Sequence, residues 1–418
     1  LSALMLLLEL HVLSESQKSA AKRLREYIDG KGRTMEAYFD NSATTQVFDC
    51  AKEAVLRAMT VDYGNAAARH MKGVEAERII KEARKEIANS LKAQEKEILF
   101  TSGGTESNNM AVIGTAFANQ RAGKHIITSS IEHPSVYNAM AFLEKQGFEV
   151  TYLPVDACGH ISIGELEAAV REDTVLVSIM YVNNEIGAVE PVEEISACLR
   201  QKNPGILFHA DAVQAYGKYE IRPKRQGIDL LSVSGHKIHG PKGVGFLYIN
   251  ERVKILPLLY GGGQQKGMRP GTENVPGCAG LGAAVKEIYT DHGARAEALY
   301  ALRERLIAGL KQMKGVTVNG CEDRRNAPQI VSAAFKGVRS EVLLHALEEK
   351  GVYVSSGSAC SSNHPGHSGT LKAIGAGREI LDSTLRFSFG AFNTEAEVDY
   401  ALWALRELLP VLRRYRAK

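Results

Sequence analysis

Short apolar runs alternate with helical spacing from Glu97 to Ser234, and this rhythm constrains the fold more than any other feature. The runs are Glu97–Thr101, His125–Ser129, Phe148–Leu153, Thr174–Val182, Ile206–Ala210 and Leu230–Ser234. Helices are predicted between them at Glu106–Asn119, Ser135–Gln146, Ile163–Arg171 and Val192–Lys202, and ahead of them at Asp49–Thr60 and Val74–Leu91. Thr174–Val182, rich in Val, Ile, Met and Tyr, reads as a strand buried on both faces. The pattern predicts an α/β fold, a mainly parallel sheet sandwiched by helices. In such sheets ligands bind beyond the carboxyl ends of the strands, so the residues just after each run matter most.

Five strand ends carry polar residues. Thr101–Asn109, with Gly103 and Gly104, offers free N–H groups and a helix start suited to an anion. It matches neither a Walker A loop nor GxGxxG. His133, in Glu132-His133-Pro134, can stack on a planar ring and move a proton. Asn183 and Asn184 offer neutral donors. Asp211, beyond Ile206–Ala210, is a carboxylate in need of a cationic partner, with Gln214 close behind. Lys237 lies in Ser232–Gly243, flanked by Ser234 and His236 and braced by Gly and Pro, a setting that suits a Schiff-base lysine. Singly, each has a plainer account: a solvated hairpin lysine, a surface histidine, turn-forming asparagines. Together, an anion loop, a stacking His, a strand-end Asp and a strand-end Lys fit pyridoxal 5′-phosphate.

At 418 residues the chain is too long for one ordinary core. A large domain is expected over 50–290. A smaller α+β domain is expected from 35–49 and 291–418, reached through a long helix, Cys278–Met313, broken near His292-Gly293. Short strands at Val316–Val318, Gln329–Ala334 and Val352–Ser355 and helices at Ser340–Glu349 and Glu395–Arg414 belong to it. Residues 1–34 read as an appendage outside the core fold, with Met35 as a natural start. A net charge of +3 without a long basic run gives no reason to invoke nucleic acid or membrane. Six scattered cysteines without a CxxC pair read as reduced thiols of a cytoplasmic protein, neither a disulfide framework nor a zinc site.

From about Tyr38 to Arg414 the chain resembles the class V aminotransferase-fold cysteine desulfurases that supply iron–sulfur cluster assembly. The resemblance rests on Phe39–Thr45, Thr101–Asn109, Glu132-His133, Val182–Gly187, Asp211–Gln214, Ser234–Gly243, Arg269–Asn274 and Ser356–Cys360. It implies the fold type I architecture of pyridoxal-phosphate transferases. It also implies that Lys237 is the Schiff-base lysine, His133 stacks on the ring, Asp211 pairs with the pyridine nitrogen, and Gln214 and Asn184 reach the ring oxygen. By the same resemblance Gly104, Thr105, Ser234 and His236 hold the phosphate, with Thr272 reaching in from the partner of a homodimer. Arg386 would clamp the carboxylate of L-cysteine, with Asn184 and Asn65 also at the substrate. Cys360 would take the sulfur as a persulfide and pass it to an acceptor such as an iron–sulfur scaffold protein, while L-alanine leaves. No resident metal is expected, Cys360 being the one residue open to transient iron–sulfur ligation.

The thiol also stands out without the resemblance. Cys360 lies in Ser355–Thr370, a stretch of Ser, Gly, Asn, His and Pro with little to bury, whereas the other cysteines sit mostly in helical or apolar settings. Some positions depart from the family pattern: Ala66-Ala67-Ala68 before His70, Ala391 in place of a common Arg, and His364 and His367 beside Cys360. The competing readings are a selenocysteine lyase, a small-substrate class V aminotransferase, or a non-catalytic scaffold.

Overall fold

The structure, a computed structural model, describes residues 35–356 and 368–414. The expected appendage, and Cys360 with His364 and His367, lie outside these residues. The first strand, β1 (Ala37–Tyr38), is followed by helices Asp49–Thr60 and Met71–Leu91. Then come β2 (Ile98–Thr101), β3 (His125–Ser129), β4 (Glu149–Leu153), β5 (Thr174–Ser178), β6 (Leu207–Asp211), β7 (Leu230–Ser234) and β8 (Gly245–Ile249).

These last seven strands form one sheet in the order β2-β8-β7-β6-β5-β3-β4. The pairs from β7 to β4 are parallel, whereas β8 runs antiparallel to both β7 and β2. The ten residues 235–244 that join β7 to β8 are too few for a helical crossover, so the chain returns antiparallel. Strands β3, β5, β6 and β7 are buried along their whole length, as near-continuous apolar runs require. The largest core packs Ile80, Ile87, Phe208, Tyr216 and Leu281 against one face of this sheet. Smaller cores, around Val136, Leu143 and Leu176 and around Met110 and Leu247, lie under other helices. At the β2 edge, Gln265 Oε1 accepts from the Phe100 N–H and its Nε2 donates to the Phe100 carbonyl, each at 2.9 Å.

Local differences from the sequence reading have physical causes. The helix after β2 starts at Gly104, two residues before Glu106, because the glycine turn itself begins the helix. Met110–Gly114 within it is π-helical. The ladder of β5 ends at Ser178 because Val182 turns back to pair with Val189 in a hairpin. The Ile179 and Tyr181 N–H groups still donate to the His209 and Asp211 carbonyls. The long helix breaks at Asp291, giving Val275–Thr290 and His292–Lys311.

The second sheet is built from β9 (Val316–Asn319), β10 (Ile330–Phe335), β12 (Ser355–Ser356) and β13 (Thr384–Ser388), in the antiparallel order β12-β13-β10-β9. Strand β11 (Val352–Tyr353) pairs in parallel with β1. Its own core gathers Phe39, Leu310, Phe335, Phe387, Val398 and Leu405 from this sheet, β1's flank and the helices His292–Lys311 and Glu395–Arg414. Helices Gly369–Ala373 and Arg378–Ser383, together with β13, have no counterpart among the predicted elements.

The cysteine expectation is corrected. Cys158 and Cys321 form a disulfide, with Cα atoms 5.0 Å apart although the residues are 163 apart in sequence. No spacing motif could show the pairing, because it depends on how the turn after β4 meets the end of β9. Cys50, Cys198 and Cys278 are free thiols. Among the described residues no helix is long and apolar enough to cross a membrane.

Candidate active site

Strand β7 delivers the chain into a single 3-10 turn, Gly235–Lys237, at the carboxyl end of the parallel strands. Lys237 Nζ donates to the carbonyls of Ser42 and, at 2.7 Å, Ala43. The segment 41–48 is therefore the wall the lysine faces. It is held there by the Thr45 N–H on the His236 carbonyl at 2.9 Å and by His236 Nδ1 against Thr44 Oγ1 at 3.3 Å. His239 sits at φ 62°, a strained backbone for a non-glycine residue. Its ring offsets the cost by donating to the Gln46 carbonyl at 2.7 Å, accepting from the Ala391 N–H at 3.1 Å and stacking on Phe48 with centroids 4.5 Å apart. From behind, Lys218 Nζ donates to the Lys237 carbonyl at 2.6 Å.

Asp211 is the last residue of β6 and is buried. Its Oδ2 accepts from Asn108 Nδ2 at 2.7 Å and its Oδ1 from the Val213 N–H at 2.9 Å. Asn108 also donates to Ser135 Oγ at 2.8 Å, and Ser135 lies 2.8 Å from His133 Nδ1. One hydrogen-bonded chain thus runs from Asp211 through Asn108 and Ser135 to His133. Burial holds His133 below the usual imidazole range; Asp211 pulls the other way and the charge of Lys237 adds to the lowering. Burial, then Lys237, Lys242 and Lys218, push His236 down to about 4. Both imidazoles are consequently neutral at neutral pH, and His133 is free to accept a proton at its unbonded nitrogen. Gln214 Nε2 donates to the Ser42 carbonyl at 3.0 Å, sharing that acceptor with Lys237.

The anion side is built by the turn before the helix at Gly104. Gly103 has φ 150°. A Cβ at Gly104 would come 2.7 Å from Val213 Cγ2, so a side chain there would have to push Val213 aside, and 3.6 Å from Ser234 Cβ, an ordinary contact. Thr105 is exposed at this helix start and Ser234 is buried beside it. Arg386, on β13, is buried; it donates to the Asn184 carbonyl at 2.8 Å and to Asp40 Oδ1 at 2.9 Å. Its Nε is buried without a partner. Beside it, Glu185 accepts from Ser368 Oγ and, at 3.2 Å, from Thr370 Oγ1, where the described chain resumes.

Two expected site residues are not gathered in. Thr272 is exposed. Asn65 is exposed as well, its Oδ1 accepting from the Ala67 N–H, and its neighbours Ala66 and Ala67 line a different cavity with Glu95 and Lys266. Asn108, Lys218 and His239 were not singled out from the sequence. Asn108 had a signal, since it belongs to the glycine-turn motif. Lys218 had none.

Residues 37–401 match the class V aminotransferase family. The chain is 48% identical over 376 residues to a cysteine desulfurase IscS of Methanosarcina thermophila, covering 90% of this chain and 92% of that protein. It is 44% identical over 381 residues to cysteine desulfurase IscS of Vibrio vulnificus, covering 90% and 93%. The chain belongs to the cysteine desulfurases of the class V aminotransferase family. A solved NifS-like protein superposes on this desulfurase-family chain with a TM-score of 0.85 at 38% identity, covering 90% of this chain and all of that one, or 100%. The structure of SspA in complex with cysteine matches with a TM-score of 0.76 at 35% identity, over 86% and 100%.

The family implies pyridoxal 5′-phosphate, and the residues present fit it. Asp211 is a buried carboxylate met only by neutral donors, in no ion pair among the described residues, as a partner for a protonated ring nitrogen would be. Ser42 Oγ and Asn108 Oδ1 are buried without partners next to the groups that face Lys237 and Asp211. The glycine pair beside Ser234 provides the close backbone approach a phosphate needs.

Proposed function

We propose that this protein is a pyridoxal 5′-phosphate-dependent desulfurase that converts L-cysteine to L-alanine and transfers the sulfur to Cys360 as a persulfide. The observation that carries the reading is the chain Asp211–Asn108–Ser135–His133 set against Lys237, with a buried arginine at the adjoining domain edge. The cofactor, when bound, supplies an electron sink that labilises bonds at the substrate Cα and Cβ. Lys237 would hold it covalently and carry the Cα proton. His133 would lie on its ring, with Asp211 at the ring nitrogen and Gln214 and Asn184 at the ring oxygen. Gly104, Thr105, Ser234 and His236 would hold the phosphate, with Thr272 contributed by the second subunit of a homodimer. Arg386 would orient the substrate carboxylate, with Asn184 and Asn65 also at the substrate.

The sulfur acceptor downstream of Cys360 would be an iron–sulfur scaffold or a thio-cofactor or tRNA thiolation protein, and the setting the cytoplasm. The molecule would work as two domains, 50–290 holding the cofactor and 35–49 with 291–418 holding Arg386 and the cysteine loop. Alanine and persulfide assays test this. Cys360→Ser should keep the visible cofactor absorbance and lose persulfide formation. Sulfide release from L-cysteine at the full rate by that variant would overturn the role of Cys360, and a keto acid product would favour an aminotransferase.

A further inference from the structure

The turn 156–160 and the end of β9 meet at a disulfide. Cys158, half-exposed, is bonded there to buried Cys321. Asp156 Oδ1 fixes the turn by accepting from the Cys158 and His160 N–H groups at 2.8 and 2.9 Å. The two sulfurs and a ring nitrogen of His160 lie within 4.8 Å of one another. Behind Cys321, buried Arg303 donates to the Cys321 and Glu322 carbonyls, each at 2.8 Å.

The hairpin 182–189 is packed between these two segments. A Cβ on Gly159 would come 2.6 Å from Ile186 Cδ1. From the other side Asn326 Nδ2 donates to the Ile186 carbonyl at 2.7 Å. The Ala327 N–H donates to the Gly187 carbonyl at 2.7 Å, and the Val189 N–H to the Arg325 carbonyl at 3.2 Å. This hairpin carries Asn184, whose carbonyl holds Arg386.

We infer that Cys158 and Cys321 are a reversible redox cross-link, closed by exchange with a low-molecular-weight disulfide, that tightens the hairpin 182–189 between the two sheets. The Cys158 thiolate, on the accessible side, attacks the small disulfide and releases one small thiol. The Cys321 thiolate then attacks the Cys158 sulfur and releases the second. Two protein thiols lose two electrons and two protons, and the small disulfide becomes two thiols. The imidazole of His160 is placed to take the proton from either thiol and to stabilise the thiolate it leaves. Closing a loop of 163 residues also restricts the unfolded chain. This inference does not depend on the reaction proposed above.

The test equilibrates the whole protein in buffers of graded reduced-to-oxidised glutathione ratio. Alkylation with mass mapping, amide hydrogen exchange and thermal unfolding are then read. Cys158 and Cys321 should pass together from alkylated to protected while the fold persists. In the oxidised form exchange over 182–189 should slow about tenfold, and the midpoint of unfolding should rise by about 5 °C. Cys158→Ser and Cys321→Ser should each abolish all three responses. A bond that survives excess dithiothreitol until the protein unfolds would make it a permanent staple and overturn the inference. So would hairpin exchange that is equal in both forms, or a reduced pair that captures zinc and then resists oxidation.

Discussion

Lys218 Nζ donates to the backbone carbonyl of Lys237 at 2.6 Å, so one lysine positions the turn that carries the other. Lys218 is buried among apolar and polar groups that include no carboxylate partner in an ion pair among the described residues. Burial, then the charge of Lys237, lowers it to about 7. Between that value and the unfolded lysine value the unfolded chain binds more protons, so this group makes stability rise with pH. Lys218→Met should flatten the stability curve from about pH 7 to about pH 10. Its loss of one hydrogen bond costs about 1 kcal/mol. Urea unfolding at a series of pH values checks both.

Glu132 has the opposite sign. Its Oε1 accepts from Ser129 Oγ at 2.7 Å and from the Met180 N–H at 2.8 Å, and burial raises it to about 8. From the unfolded carboxyl value up to about 8 the native state holds the extra proton, so stability falls as pH rises. Glu132→Gln keeps the acceptor and removes the titration. Relative to the parent, the variant should gain about 1 kcal/mol per pH unit across that window and level off above it.

Asp211→Asn preserves shape and one of the two contacts, to Asn108 or to the Val213 N–H, but removes the buried negative charge. Alanine formation should fall about 100-fold or more in kcat, because the lost interaction is electrostatic and water-excluded. The visible cofactor absorbance should remain, since Lys237 is intact.

Arg386→Lys exchanges a planar fork for a point charge at a position already spanning Asn184 and Asp40. The expected loss in kcat/KM for L-cysteine is about 100-fold, carried mainly by KM. A variant whose KM is unchanged would place the substrate carboxylate elsewhere.

Much of this was legible from periodicity. The strands β3, β6 and β7 and the polar residues at their ends follow from apolar runs read with the rule that ligands sit beyond parallel strand ends. The break between helices Val275–Thr290 and His292–Lys311 was visible at His292-Gly293. What was hidden depended on contacts between distant segments. Lys218 finds Lys237 only because the chain loops back between β6 and β7, and Cys158 finds Cys321 only through the meeting of two sheets. Strand β13 was obscured because two short helices and the Cys360 stretch precede it without a clear apolar period.

The side chain of Gln265, bonded to both polar groups of Phe100, has a consequence for the life of the protein among other proteins. Strand β2 ends the seven-stranded sheet, and an open edge recruits extended segments of neighbouring chains. By imitating one residue of an adjacent strand, the amide fills the rung at Phe100. It belongs to a loop at positive φ, which turns away and offers no further rung. The edge at the end of the sheet farthest from β4 thus has one residue's polar groups already paired from within the chain, and that residue is closed to an incoming strand.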